Sequence, residues 1–226
     1  GWTERLSDHG VAGHMRGESP AEQAALLQAA ADRIGVETPV VVGHSYGGAV
    51  ALAWGLARPR QTRALVLLAG VAMPWPGGLG ALYTINGSTF GGVVTPLITA
   101  FAPDSAVNGS VREVFAPQPP PDGYAAHIGL GLSLRRTALR ANARQVRSLR
   151  PHIVEMSQRY ADTLTIPVEI VHGTEDTIVP MQIHAEPLAQ LLPEARLTRL
   201  EGVGHMPHHA DEDAVVAAIR RAANRR

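Results

Sequence analysis

The stretch Val40-Val41-Val42-Gly43-His44-Ser45-Tyr46-Gly47-Gly48-Ala49-Val50-Ala51-Leu52 decides the fold of this chain. Its β-branched beginning predicts a short strand, and its apolar end predicts a helix. Between them, the pattern Gly-x-Ser-x-Gly predicts a sharp turn that raises the side chain of Ser45 above the carboxyl end of the strand. Such a turn strains the serine backbone and brings other backbone close, and glycine at positions 43 and 47 leaves the room that this approach needs.

Strand and helix patterns alternate on both sides of this turn. Ser19-Pro20-Ala21-Glu22 has the residues of a capped helix start, and residues 64–69 form a continuous apolar run typical of a strand buried on both faces. A strand, a helix and a strand at this spacing predict a right-handed crossover and a parallel sheet. The alternation continues later, with strands at about 168–172 and 196–200 and helices at about 181–192 and 211–223. The predicted fold class is α/β, with a doubly wound and mostly parallel sheet.

Residues 72–162 interrupt this alternation. Gly and Pro separate short helical patterns there, and Pro117-Gln118-Pro119-Pro120-Pro121 reads as a stiff linker. Two longer helices are predicted at about 133–147 and 151–161, and no strand. The chain therefore divides into a core formed by residues 1–71 and 163–226 and a helical insert, residues 72–162, that lies over the sheet.

Composition excludes several kinds of chemistry. Lys and Arg number 20, as do Asp and Glu, so the overall charge does not indicate a nucleic-acid partner. The chain has no cysteine, which excludes disulfides, Cys-ligated zinc and thiol catalysis, and which fits a cytoplasmic protein. The uncharged stretch from Ala64 to Pro103 is interrupted repeatedly by Pro and Gly, so it does not predict a membrane span.

Ser45 requires partners before its hydroxyl can act as a nucleophile. An imidazole must accept its proton, and a third group must fix the imidazole and stabilise its cation. Asp176 and His205 each follow a predicted strand, where a doubly wound sheet gathers functional side chains. Serine, acid and histidine then occur in an order typical of nucleophile-elbow enzymes, with Glu175 as a lower-ranked alternative acid. The backbone N–H of Tyr46 would stabilise an oxyanion.

Each of these residues also has an ordinary structural interpretation. Asp176 could cap the helix that follows it, and His205 could be a hydrogen-bonded loop histidine. Together with His208 and His209 it could form a metal site, but acidic and Cys partners are missing at ligand spacing, so we predict no metal and no other cofactor. His208 and His209 are expected at the start of the final helix. His44 would line the floor of a pocket or pack in the core.

These residues resemble the α/β-hydrolase fold enzymes, of the cap-bearing esterase and lipase-like kind. The matching pieces are Gly43–Gly48, Ala64–Leu68, His172–Pro180 and Gly202–His205. The resemblance covers nearly the whole chain and is weakest across the insert. It implies a catalytic triad of Ser45, His205 and Asp176, a parallel sheet, and a helical cap over the active site. Related epoxide hydrolases and dehalogenases carry aspartate at the nucleophile position, and serine here argues against both.

The resemblance also implies that the amino-terminal part of the fold is missing from this sequence. Members of the family usually begin with several further strands, and an apolar strand that ends in His-Gly supplies a second oxyanion-hole N–H. No residue before position 39 follows a strand pattern. We therefore expect the amino-terminal third, the second donor and any targeting segment it carried to lie outside these residues.

The implied reaction is hydrolysis of a carboxylic ester, or a related acyl bond, in a small and largely apolar substrate. Apolar side chains of the insert would line the acyl pocket, among them Trp75, Leu82, Tyr83 and Phe90, although each could instead pack the cap onto the sheet. The triad does not distinguish esters from amides, thioesters, lactones or C–C bonds. The alternative is a non-catalytic or weakly catalytic ligand receptor, or a fragment that depends on a partner. A homodimer is left open.

Overall fold

A computed structural model describes residues 19–77, 104–129 and 136–225. Within these ranges one sheet of four parallel strands occupies the centre, in the order in which the strands occur along the chain. The strands are β1 (Val40–His44), β2 (Ala64–Leu68), β3 (Val168–Gly173) and β4 (Ala195–Leu200). The predicted doubly wound parallel sheet is confirmed.

Helices cover both faces of this sheet. They are α1 (Pro20–Arg33), α2 (Tyr46–Ala57), α3 (Asp104–Phe115), α4 (Tyr124–His127), α5 (Arg136–Ser157), α6 (Tyr160–Thr163), α7 (Met181–Leu191), α8 (Pro207–Ala210) and α9 (Glu212–Asn224). The first begins at the predicted capping box, in which Ser19 Oγ accepts from the N–H of Glu22 and the carboxylate of Glu22 accepts from the N–H of Ser19. Because Pro20 has no N–H, three backbone N–H groups lack a helical partner at this end, and two of them thereby gain one.

The core explains why β2 is apolar at every position. Leu65 and Leu67 point to one face, into a cluster with α2 and α7, whereas Val66 and Leu68 point to the other, against α9. All five residues of the strand are buried. Side chains alternate between the faces of a strand, so only a strand covered on both faces needs a continuous apolar run.

The strands end together at one edge of the sheet. His44 at the end of β1 lies beside Leu68 at the end of β2, and Gly173 at the end of β3 lies beside Leu200 at the end of β4. Loops that follow parallel strands therefore leave the sheet side by side. This alignment is what brings residues far apart in sequence to one place.

The two helices predicted at about 133–147 and 151–161 are wrong. The structure has one helix, α5, which continues through Pro151 to Ser157. Proline removes a hydrogen bond and favours a break, but Leu149, Ile153 and Met156 on either side of it are all buried in core clusters. Packing against the core therefore outweighs the local preference. The described part of the insert contains helices and irregular segments and no strand.

The predicted position of His208 and His209 at the start of the final helix is also wrong. Both lie in the separate short helix α8. Asp211 then caps the final helix, because its carboxylate accepts a hydrogen bond from the N–H of Ala214 at 2.9 Å. An aspartate in this position starts a new helix and does not extend the turn before it.

No described helix combines the length and apolar character that a membrane crossing requires.

β1 pairs with β2 alone among the described strands, and Val42 on β1 is 45% exposed. Four statements from the sequence stay predictions. They are the position of the fold's amino-terminal third outside these residues, the homodimer, the cytoplasmic location, and the boundaries between core and insert.

A buried histidine of α7 fixes the loop that leads from β2 into the insert. Nδ1 of His184 accepts hydrogen bonds from the N–H groups of Met73 at 3.2 Å and Ala72 at 3.4 Å. The imidazole is 1% exposed and lies edge-on to the ring of Trp75. Burial, with a smaller contribution from the charge of His172, lowers the pKa of His184 to about 4. The ring is therefore neutral, as an accepting Nδ1 requires.

We predict that acid weakens this anchor. The pKa of His184 lies below its unfolded value of about 6.5, so the unfolded state takes up the proton first. Its contribution to stability is complete above about pH 6.5 and is lost as the pH falls towards about 4. In His184→Gln the side-chain oxygen can accept the same bonds without titrating, and the loss of Tm over this range should be smaller than in the wild type.

Thermal melts between about pH 7 and pH 4.5 measure this difference. Burial also lowers the pKa values of His44 and His208 to about 4, so part of the pH dependence should remain. The exposed His127 provides a matched control, and His127→Gln should melt like the wild type at every pH. Equal pH dependence in His184→Gln and the wild type would contradict the prediction.

Candidate active site

Ser45 occupies a strained turn between β1 and α2. Its backbone lies at φ 54° and ψ −121°, a region that residues with a side chain rarely adopt. The turn is fixed to the neighbouring strand, because the N–H of Ser45 donates to the carbonyl of Leu68 and the N–H of Val71 donates to the carbonyl of Ser45, both at 3.0 Å. These bonds to the end of β2 and the loop after it hold the strained conformation in place.

Glycines make this turn sterically feasible. A Cβ atom on Gly43 would overlap the carbonyl of Gly47, and a Cβ on Gly48 would lie 2.6 Å from the Cα of Gly70. No described atom lies within 4 Å of a Cβ on Gly47, so that residue needs no such room on its own side. The sequence-based expectation that glycine at position 47 leaves room for approaching backbone is therefore wrong. The backbone of Gly47 is instead what approaches Gly43. Sequence reasoning missed the second close approach, between Gly48 and Gly70.

Three side chains form a continuous series of hydrogen bonds at the carboxyl edge of the sheet. Nε2 of His205 lies 3.0 Å from Oγ of Ser45, and Nδ1 of His205 lies 2.8 Å from Oδ2 of Asp176. Ser45 follows β1, Asp176 follows β3, and His205 follows β4. Asp176 and His205 are 5% and 4% exposed, so this series is closed to water over most of its length. The sequence-predicted residues are thus brought together.

The carboxylate of Asp176 has a donor for each of its lone pairs in the plane of the group. Oδ1 accepts from the N–H groups of Ile178 at 2.9 Å and Val179 at 2.8 Å, while Oδ2 faces both His205 and His172. Burial alone would raise the pKa of Asp176, but the charge of His205 and the hydrogen bonds from both histidines outweigh it and hold this pKa well below its usual range.

Glu175 was the alternative acid. Its side chain is exposed, whereas the carboxylate that contacts His205 belongs to Asp176. The structure therefore separates the two neighbours by their surroundings. Only Asp176 faces the imidazole.

Sequence reasoning missed His172, which contacts Asp176 from within β3. Its Nε2 lies 2.7 Å from the carbonyl of Val179 and 3.2 Å from Oδ2 of Asp176. A carbonyl oxygen only accepts, so Nε2 must carry the proton and donate to both oxygens. The ring is fully buried. His172 stands four residues before Asp176 in the sequence, and this spacing is the signal that could have indicated the contact.

His44 holds the backbone of His205. Its Nε2 donates to the carbonyl of His205 at 2.9 Å, and the two ring centroids are 4.8 Å apart. The ring also makes an edge contact with His208. Burial, with the charge of His205 as the next cause, lowers the pKa of His44 to about 4. Its expected place on a pocket floor stays a prediction, and its ring in the structure contacts His205 and His208.

Tyr46 is the first residue of α2. Its N–H lies in the first turn, where the helix itself supplies no carbonyl partner, and its role in binding an oxyanion stays a prediction. The phenol points elsewhere and accepts a hydrogen bond from Nε2 of Gln23 at 3.1 Å. Burial raises the pKa of this phenol to about 12, so the group stays neutral.

Trp75 is the one expected acyl-pocket residue that the structure describes. It is 3% exposed and packs in a cluster with Ala49, Leu149 and Ile153, where it joins the insert to the core. Leu82, Tyr83 and Phe90 lie outside the described residues, so their place in a pocket stays a prediction. Over the described ranges no group of His, Asp and Glu residues is arranged to hold a metal ion.

A matched pair of glycine variants tests the turn around Ser45. Gly43→Ala should lower Tm strongly, since its methyl group would overlap the backbone of Gly47 and overpacking typically costs about 1–3 kcal/mol or more. Gly47→Ala adds the same methyl group where the described structure leaves space, and it should melt close to the wild type. Thermal melts of the two proteins check this difference. Equal losses of Tm would contradict the geometry given for the turn.

Comparison with known proteins agrees with this architecture. The chain is 32% identical to a pimeloyl-[acyl-carrier protein] methyl ester esterase of Aromatoleum aromaticum, over 94% of this chain and 85% of the relative. It is 30% identical to a 2-hydroxymuconate semialdehyde hydrolase of Pseudomonas putida, over 77% of this chain and 58% of the relative.

A solved structure and a family model point the same way. A crystal structure of an alpha/beta hydrolase fold protein from Burkholderia ambifaria matches with a TM-score of 0.69 and 26% identity, over 89% of this chain and 72% of that one. The model of the alpha/beta hydrolase family matches residues 6–218. The chain belongs to the alpha/beta hydrolase family.

Proposed function

We propose that this chain is a serine hydrolase that cleaves a carboxylic ester, or a related acyl bond, of a small and largely apolar substrate. One observation carries the proposal: an unbroken series of hydrogen bonds runs from Asp176 through His205 to Ser45. Membership in a hydrolase family supports it, and so does a relative named as a methyl ester esterase.

The protonation pattern of this series suits nucleophilic attack. An ionised carboxylate only accepts, so the proton of His205 lies on Nδ1 and points at Asp176. Nε2 is then free to accept the proton of Ser45. The low pKa of Asp176 keeps the carboxylate charged throughout the neutral range, where it also stabilises the imidazolium that forms during the reaction.

Acylation follows from this arrangement. Nε2 of His205 takes the hydroxyl proton as Ser45 attacks the ester carbonyl, and negative charge develops on the carbonyl oxygen. The N–H of Tyr46, at the start of α2, binds that oxyanion. The tetrahedral intermediate collapses when the imidazolium gives its proton to the leaving alcohol, which leaves the acyl group on the serine.

Deacylation repeats the same steps with water. His205 removes a proton from a water molecule that attacks the acyl-enzyme, and it then returns the proton to Ser45. The carboxylic acid is released, and the enzyme regains its starting state. Both half-reactions require that one imidazole keep contact with Asp176 and the serine together.

A fluorophosphonate probe tests the chemistry directly. The wild-type protein should be labelled at Ser45 and should hydrolyse p-nitrophenyl esters, whereas Ser45→Ala should do neither.

Asp176→Asn should lower kcat by about 10⁴-fold, because the amide can no longer hold the same imidazole tautomer. Glu175→Gln is the matched control at the exposed neighbouring position, and its kcat should stay within about twofold of the wild type.

The receptor alternative makes the opposite prediction. A folded wild-type sample that is not labelled and hydrolyses no ester would overturn the proposal and favour a binding function. Equal losses of kcat in Asp176→Asn and Glu175→Gln would contradict the role given to Asp176.

The apolar acyl pocket makes a separate prediction. Burying one methylene contributes about 0.8 kcal/mol, so each added carbon of the acyl chain should raise kcat/KM by up to about fourfold until the pocket is full. Initial rates with acetyl, butyryl and hexanoyl p-nitrophenyl esters measure this dependence. A flat series, or one that falls from acetyl onward, would contradict an apolar acyl site.

A further inference from the structure

We propose that Gln118 of the insert is a positioning residue that holds the loop of His205, so that the seating of the insert on the core sets the reactivity of Ser45. The His205 loop is defined here as residues 201–206, and the brace as residues 115–124 of the insert. The inference rests on the proposed function, because it assigns a control to the same site.

The side-chain amide of Gln118 pairs with the backbone of the His205 loop through two hydrogen bonds. Nε2 donates to the carbonyl of Gly202 at 2.7 Å, and Oε1 accepts from the N–H of Gly204 at 3.0 Å. The amide thereby spans the loop just before the histidine. Only a group with a donor and an acceptor at this separation can make both bonds.

The backbone of the brace lies directly on the same loop. A Cβ atom on Gly204 would overlap the carbonyl of Ala116 and would lie 3.1 Å from Cδ of Pro117. At the end of β3, a Cβ on Gly173 would overlap the carbonyl of Val203. The His205 loop therefore lies in close contact with both the end of β3 and the brace. Glycine is needed at positions 173 and 204 because neighbouring backbone approaches each of them closely.

The core holds only part of this loop. The N–H of Gly202 donates to Oγ1 of Thr174 at 2.9 Å, and the carbonyl of Val203 accepts from the N–H of Glu175 at 2.9 Å. His44 binds the carbonyl of His205. The carbonyl of Gly202 and the N–H of Gly204 are instead satisfied by Gln118. The insert thus completes the hydrogen bonding of the loop that carries the proposed base.

Aromatic contacts seat the brace next to these bonds. Phe115 and Tyr124 pack against each other with ring centroids 4.7 Å apart, and both contact His209 just beyond the loop, at 5.2 and 5.3 Å. Phe115 is 2% exposed, so its removal would disturb packing. Gln118 is only partly buried. Changing Gln118 therefore breaks the pairing while the packed part of the brace remains.

This arrangement has a defined consequence for the reaction. His205 must keep 2.8 Å to Asp176 and 3.0 Å to Ser45 at the same time, and a displacement of about 1 Å can cost a hundredfold in rate. The two hydrogen bonds of the Gln118 amide go to the backbone of Gly202 and Gly204, and not to these three side chains. Its loss should therefore lower kcat and the rate of serine labelling while KM changes little.

Two variants test the pairing. Gln118→Met keeps the size of the side chain but removes both polar atoms, and Gln118→Glu removes the donor and faces the carbonyl of Gly202 with a charge. Gln190→Met, at an exposed position of α7, is the matched control. The measurements are amide hydrogen exchange of the His205 loop, kcat and KM with p-nitrophenyl butyrate, the rate of fluorophosphonate labelling, and Tm.

Gln118→Met should exchange the Gly204 amide faster than the control, whereas Gln118→Glu keeps an acceptor for that amide and loses only the bond to Gly202. Both variants should show kcat and labelling rates lower by about tenfold, with KM within about twofold. Unchanged Gly204 exchange in Gln118→Met, or kcat values equal to the control in either variant, would overturn the inference. A loss of kcat that is matched by a loss of Tm would also overturn it, because that pattern indicates destabilisation. Wild-type protein that shows no labelling and no hydrolysis would instead overturn the proposed function, and the exchange data would still decide whether Gln118 holds the loop.

Discussion

The contact between Asp176 and His205 is the interaction on which the site depends. A buried carboxylate is costly unless it is hydrogen-bonded, and this one receives two backbone N–H groups on one oxygen and two imidazoles on the other. Those donors fix its position as well as its charge. The imidazole of His205 is then directed at Ser45 with a single arrangement of protons, and every step of the proposed reaction uses that arrangement.

The fold supplies this contact through the alignment of its strands. Ser45, Asp176 and His205 follow three different strands whose ends lie side by side, so their separation along the chain has no bearing on their distance in space. Glycines at the crossing points let the loops approach each other, between Gly43 and Gly47, between Gly173 and Val203, and between Gly204 and Ala116. The insert adds a further support through Gln118. Core and insert therefore share the task of positioning one histidine.

The sequence predicts the parallel sheet and the three central residues because each of these has a local signal. A continuous apolar run indicates a buried strand and an alternating run a half-buried one, and Ser45, Asp176 and His205 each lie in the turn or loop that follows such a segment. His172, His44 and Gln118 have no comparable signal, since their roles depend on which atoms face them across the fold. The same limit explains α5, where Pro151 predicts a break and buried neighbours in the core keep the helix whole. Spacing along the chain reveals strands and turns, whereas hydrogen-bond partners follow from packing.

Nuclear magnetic resonance of the imidazole protons tests the central contact most directly. If His205 donates from Nδ1 to Asp176, the wild-type protein should show a strongly downfield proton bound to that nitrogen. The signal should persist in Ser45→Ala, which leaves the contact intact, and should disappear in Asp176→Asn. A wild-type spectrum without it, or an Asp176→Asn spectrum that retains it, would contradict the account.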